Sequence, residues 1–227
     1  NGTPIKFKGI SMHAEPIGEK GIAFSRAHFE SLVTTSKELN INFIRAAHYP
    51  YTRHMAKVCD ELGIMLWEEI PVYWNINWTN KQTKEDALNM LSNLVTRDWN
   101  RASVVVWSLG NETPFSKDRM TFMNDLKDRL GELDVSRLKS AAILSGDAQT
   151  FSKLISIIAK VGLEKKDLTA KERYIFEEIV KNVPVPVEKL LPFEININDP
   201  LANELDLIAY NEYFCLLYTS DAADEVD

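Results

Sequence analysis

The residues most able to do chemistry sit at the end of one apolar run. Residues 104–107, Val-Val-Val-Trp, read as a strand buried on both faces and lead through Ser108-Leu-Gly110 into Asn111-Glu112. A carboxyl group in such a place suits proton transfer to a departing oxygen. The acid must keep its proton near neutral pH, which burial or a second negative charge nearby achieves. Cleaving a glycosidic bond calls for two carboxyl groups flanking that bond. Glu112 fits the one that protonates the leaving oxygen, and the Asn111 amide beside it can hold a sugar hydroxyl. Trp74 and Trp107 can stack on the apolar face of a sugar or close a pocket floor.

Four other apolar runs end in polar and aromatic clusters. The first ends at His13, with Glu15 just beyond. The second gives RAAHYPY, which contains Arg45, His48 and Tyr49. The third gives WEEIPVYW, from Trp67 through Glu69 to Trp74. A later one gives AYNEYF, with Asn211 and Tyr213. Folding does not require polar strand ends, so their recurrence points to a shared site. Each residue also has a plainer role open to it. Glu112 could cap a helix, Asn111 could make a turn, and the two histidines could be structural. Arg45 could pair with Glu68 or Glu69 to hold the rim, and the tryptophans could be core aromatics.

The elements that would position these residues alternate in type. Apolar runs at 5–12, 42–47, 64–67, 104–107, 141–144 and 207–210 read as strands. Between them lie helical repeats: Phe29, Leu32, Val33 and Leu39; Met55, Val58 and Leu62; Leu88, Leu91, Val95 and Trp99; Met123, Leu126, Leu130 and Leu133. Thr83-Lys-Glu-Asp86 has the form of a capping box opening the third helix. Alternation of this kind predicts a parallel sheet. The expected fold is α/β, an incomplete (β/α)8 TIM barrel of about six parallel strands, whose site lies at the C-terminal strand ends. The span 148–200 reads as a helical insertion between strands five and six, with helices at 151–161 and 171–180. A connector bearing Pro184, Pro186, Pro192 and Pro200 follows.

Composition narrows the classes of function. The 227 residues carry 26 Lys+Arg against 33 Asp+Glu, a formal charge of −7, with no basic cluster of the kind nucleic acid requires. No apolar run reaches the roughly 20 residues of a membrane span. Cys59 and Cys215 supply neither a disulfide framework nor zinc spacing. No metal or cofactor is expected, the expected partner is a carbohydrate, and oligomeric state and compartment stay open.

At this level of detail a resemblance appears. NGTPIKFKGISMHAE, RAAHYPY, CDELGIMLWEEIP, RDWNRASVVVWSLGNE and LDLIAYNEY are similar, in order and spacing, to the barrel domain of glycoside hydrolase family 2. That family includes β-glucuronidases, β-galactosidases and β-mannosidases. The resemblance covers roughly residues 1–145 and 199–214. It implies that Glu112 is the general acid/base, that Asn111 holds the 2-hydroxyl, and that Asn211 and Tyr213 line the site. It further implies that His13, Arg45, His48 and Glu69 shape the pocket.

The expected activity is hydrolysis of terminal β-glycosidic bonds by a retaining double displacement, with glucuronidase-like and galactosidase-like substrates both open. The family's nucleophile ends the seventh strand, which is expected to lie outside this chain; Glu212 belongs to the sixth-strand motif and is not its substitute. The 227-residue chain is therefore expected to be inactive by itself. Residues 1–214 are expected to form the barrel and 215–227, Ala/Asp-rich with no helical stripe, a non-native tail. Two alternatives stand beside this reading: a non-catalytic carbohydrate-binding barrel, and another retaining barrel glycosidase of the same clan.

Overall fold

The computed structural model describes residues 4–143, 159–160, 162–164, 168–182 and 199–211. They fall into two compact units, one of residues 1–143 and 201–209 and the other of residues 144–200 and 210–227. The first unit holds β1 (Gly9–Met12), α1 (Arg26–Glu38), β2 (Phe43–Ala46), α2 (Arg53–Leu62), β3 (Met65–Glu69), α3 (Lys81–Asp98), β4 (Val104–Asn111), α4 (Lys117–Leu133) and β5 (Leu138–Ile143). A short 3-10 helix, Pro200–Glu204, precedes β6 (Leu207–Tyr210). The sheet runs in sequence order, β1-β2-β3-β4-β5-β6, and β1 through β5 pair in parallel. Sequential parallel order with a helix between strands is the winding of a (β/α)8 barrel. The six strands of an incomplete barrel match the expected fold class.

Alternation along the strands divides the interior into two faces. Ile44, Leu66, Trp107 and Leu109 join Phe29, Val33, Met55, Leu91, Phe122 and Leu126 from the helices in one buried apolar cluster. The opposite face carries Phe43, Arg45, Trp67 and Glu69, with Arg45 stacked 5.2 Å from the centroid of Trp67 and Phe43 edge-on to the same ring. Arg45 and Glu69 thus lie on the side that lines the barrel, and a mostly apolar layer seals the helices against the sheet. Cys59 is fully buried in that seal, where it packs as a small hydrophobe, and burial pushes its thiol pKa upward.

Several element boundaries differ from the sequence reading. The helix expected to open at Thr83 starts two residues earlier. Asn80 is its N-cap, and the Asn80 side chain accepts from the Thr83 amide at 2.9 Å. The local signal was a cap, but Asn outranks Thr in that role and took it. β1 is four residues rather than eight, and β5 starts at Leu138 rather than Ala141. In the second unit α5 spans Ala170–Asn182, bracketing the helix expected at 171–180. The helix expected at 151–161 and the tail at 215–227 lie outside the described residues, apart from helical residues 159–160.

Candidate active site

The parallel register brings four strand ends to one rim. Arg45 lies level with Trp67, Glu69 level with Ser108, and Asn111 level with Ala142. Beyond β3 the chain continues as Ile70-Pro-Val-Tyr-Trp74 and makes one further parallel bridge, Tyr73 with Asn111. Two hydrogen bonds fix it, from the Asn111 amide to the Val72 carbonyl (2.9 Å) and from the Trp74 amide to the Asn111 carbonyl (3.1 Å). Gly110 permits this approach. A Cβ there would sit 2.8 Å from the Val72 carbonyl oxygen, closer than real contacts allow.

Glu69 is the hub of the buried part. It is fully buried and accepts from Arg45 Nε (3.1 Å), Arg45 Nη2 (3.3 Å) and the Trp67 indole (3.0 Å), and its Oε1 lies 2.5 Å from His48 Nδ1. The pairing left open between Glu68 and Glu69 is therefore made with Glu69. Arg45 Nη2 also donates to Asn111 Oδ1 at 2.7 Å. That bond assigns the asparagine's oxygen to the arginine, which turns its amide nitrogen, a donor, the other way. Neighbouring rings continue the cluster: His13 lies edge-on to His48 at 5.6 Å, and Tyr73 lies 6.3 Å from His48.

Glu112 follows directly from β4. It is 4% exposed, and its amide donates to the Ala142 carbonyl at 2.7 Å. The β4–β5 register shifts between Ser108 and Asn111, a bulge of the kind that re-aims side chains beside active sites. Glu112 has φ +51° and Trp74 has φ +56°. Left-handed backbone is unfavourable for both residue types, and the surrounding bridge holds it in place. These two turns face each other, and the Trp74 indole N–H donates to Glu112 Oε2 at 2.9 Å.

His13, Arg45, His48, Glu69, Trp74, Asn111 and Glu112 thus belong to one connected rim. Asn211 follows β6 directly in the chain and belongs to the second unit; Tyr213 lies outside the described residues. Trp107 is not at the rim. It is fully buried, donates to Asp134 Oδ2 at 2.9 Å and carries Arg137 over its ring. The plain core role is the one it takes. Sequence reasoning passed over Tyr73, whose pairing is a single long-range bridge, and Gly110, whose importance lies in the missing Cβ. Adjacency to Trp74 and to Asn111 was the available signal. Among the described residues no group of three or more His, Cys, Asp or Glu side chains is arranged to hold a metal.

Comparison with known proteins points to one family. The chain is 34% identical over 139 residues to a β-galactosidase of Thermoanaerobacterium thermosulfurigenes, matching 60% of this chain and 19% of that protein. It is 34% identical over 152 residues to a β-glucuronidase of Paenibacillus borealis, matching 60% of this chain and 25% of that protein. The chain therefore spans a quarter or less of the length of these relatives. Among solved structures, the β-glucuronidase of Parabacteroides merdae superposes with a TM-score of 0.58 at 30% identity, covering 64% of this chain and 19% of that one. Residues 1–168 match the family described as glycosyl hydrolases family 2, TIM barrel domain. With six strands wound in the barrel's order and most of its length inside that match, the chain belongs to glycosyl hydrolase family 2, as a part of its TIM-barrel domain.

Proposed function

We propose that this barrel cleaves terminal β-glycosidic bonds by a retaining double displacement, with Glu112 as the general acid/base. One observation carries the reading. A buried carboxylate directly follows β4, beside an asparagine whose side-chain oxygen accepts from Arg45. In the first step a carboxylate nucleophile bonds to the anomeric carbon while the glycosidic bond breaks and Glu112 gives its proton to the departing oxygen. In the second Glu112 takes a proton from the water that attacks the glycosyl-enzyme. The Asn111 amide nitrogen donates to the sugar 2-hydroxyl, a contact that strengthens in the transition state. Arg45, fixed by Glu69, keeps that amide in the donating orientation, and His48 and His13 line the sugar pocket.

The nucleophile is a second carboxylate. Glu69 is unsuited to that part because three side chains hold both of its oxygens, and the proposal assigns the nucleophile to a residue outside the described ones. The names of the relatives leave glucuronide and galactoside substrates equally supported.

The test is Glu112→Gln in the full-length protein. Turnover of glycosides with poor leaving groups should fall by about 10²–10⁴-fold, the usual contribution of a positioned acid. Activated aryl glycosides leave as anions and should lose far less in the glycosylation step. Added azide should restore turnover by attacking the glycosyl-enzyme without a general base. Equal losses on both substrate types, with no azide rescue, would make Glu112 a binding residue and overturn the proposal.

A further inference from the structure

The exposed rings beside Glu112 have no part in the chemistry just described. Trp74 is 55% exposed and Tyr73 43%, unusual for large aromatics in direct contact with a buried network. They meet edge to face, with centroids 5.9 Å apart and planes at 81°, so they form a corner rather than a stack. The corner is built, not incidental. The Tyr73–Asn111 bridge, the close approach over Gly110 and the indole bond to Glu112 each pin it to the rim.

Its position relative to the reaction follows from two facts. An acid that protonates the glycosidic oxygen sits at the junction of sugar and leaving group, and Trp74 is bonded to that acid. The groups assigned to the sugar are deep, with Glu69 fully buried and Asn111 4% exposed, whereas Tyr73 and Trp74 face solvent. In a pocket that takes a terminal sugar, depth belongs to the sugar and the mouth to the leaving group. Resting on the glycosidase reading above, we infer that Tyr73 and Trp74 form the leaving-group subsite, and that it selects glycosides of flat aromatic alcohols and phenols. A second sugar ring would meet this corner with one apolar face only and would turn its hydroxyls away from the rings. This corner offers ring faces and edges, which favour an aryl group by offset and edge-to-face contact. Phe115, three residues past Glu112 and 42% exposed, adds another aromatic on the segment leaving the site.

The indole N–H gives Trp74 a second, separable effect as a positioning residue: it fixes the rotamer of the Glu112 carboxylate. Trp74→Phe keeps an aromatic face and loses the N–H; Trp74→Ala loses both. Because Trp74 is half exposed, neither change opens a core cavity.

Uncleavable probes test the subsite without relying on turnover. Phenyl and methyl 1-thio-β-D-galactosides and 1-thio-β-D-glucuronides would be titrated into the full-length protein, with binding read by calorimetry. With the sugar it accepts, the phenyl compound should bind about tenfold tighter than the methyl one. Trp74→Ala should bring that ratio close to one, Tyr73→Ala should reduce it, and Trp74→Phe should keep most of it. On hydrolysable substrates Trp74→Phe should lower kcat for poor leaving groups while KM holds. A phenyl-to-methyl ratio near one in the unaltered protein, a ratio that survives Trp74→Ala, or no binding of any phenyl probe at millimolar concentration would each overturn the subsite. Loss of hydrolysis alone bears on the glycosidase proposal and leaves the binding ratios to decide this one.

Discussion

Glu69 illustrates how a residue can be indispensable to a site without touching what the site acts on. Its two oxygens gather Arg45, His48 and the Trp67 indole within a fully buried setting. Arg45, only 11% exposed in its side chain, is thereby neutralised where water cannot do so. Removing one partner of such a pair leaves an uncompensated buried charge. Glu69→Ala should therefore lower stability by about 3–5 kcal/mol in chemical denaturation. Glu69→Gln, which keeps the shape and some acceptor capacity, should lose less. An Ala variant within 1 kcal/mol or so of the parent would show that the cluster is solvated and that Arg45 is not held by it. At this scale the sequence was half legible. Arg45 beside the Glu68-Glu69 pair announced an ion pair at the rim. Successive strand residues point to opposite faces, so only one of the two glutamates could share the arginine's side. Nothing in the local sequence says which.

Among the elements, the strand ends were legible because burial on both faces leaves a long apolar run and the chemistry begins where the run stops. What stayed hidden is the extension of β3 through Val72–Trp74, which has no periodicity to betray it. It exists because the glycine at 110 lets two backbones close to hydrogen-bonding distance. Substituting that glycine is the direct test of the element's role. In Gly110→Ala the new methyl carbon meets the Val72 carbonyl at 2.8 Å, so the segment must retreat. Overpacking of this kind costs about 1–3 kcal/mol. The retreat also breaks the Tyr73–Asn111 bridge and draws the Trp74 indole away from Glu112. The variant should thus lose tryptophan fluorescence features of the rim and phenyl selectivity together, with the helices intact by circular dichroism. Retained selectivity in a stable Gly110→Ala protein would mean the segment is anchored elsewhere. The mislocated cap of α3 has a simpler cause: Asn80 and Thr83 can both cap a helix three residues apart, and Asn is the stronger of the two.

The whole molecule carries a carboxyl group buried on the other side of the sheet from the site, and it sets how stability should follow pH. Glu68 points into the helix-facing layer, 1% exposed, with Asp98 and Arg97 of α3 beside it and Arg97 Nη2 at 3.5 Å. Burial first, then the Asp98 charge, push the Glu68 carboxyl well above the usual carboxylate range, with Arg97 pulling the other way. Neither Glu68 oxygen nor Asp98 Oδ1 has a donor while both acids are ionised. A proton held on Glu68 supplies one, leaving Arg97 and Asp98 as the charged pair. The folded chain then binds a proton that the unfolded chain has released, so unfolding free energy falls as pH climbs from the ordinary carboxylate range through neutrality. Glu68→Gln places a permanent amide donor toward Asp98 and removes the titration. It should unfold at higher denaturant than the parent at about pH 8, with the advantage shrinking toward nothing at about pH 5. A variant less stable than the parent by the same amount at both pH values would mean that Glu68 is ionised and paired with Arg97. The same strand that gives Glu69 to the site would then carry a second full charge across the core. Such a sheet would need Arg97 as firmly as the rim needs Arg45, and Arg97→Met would be as costly as Glu69→Ala.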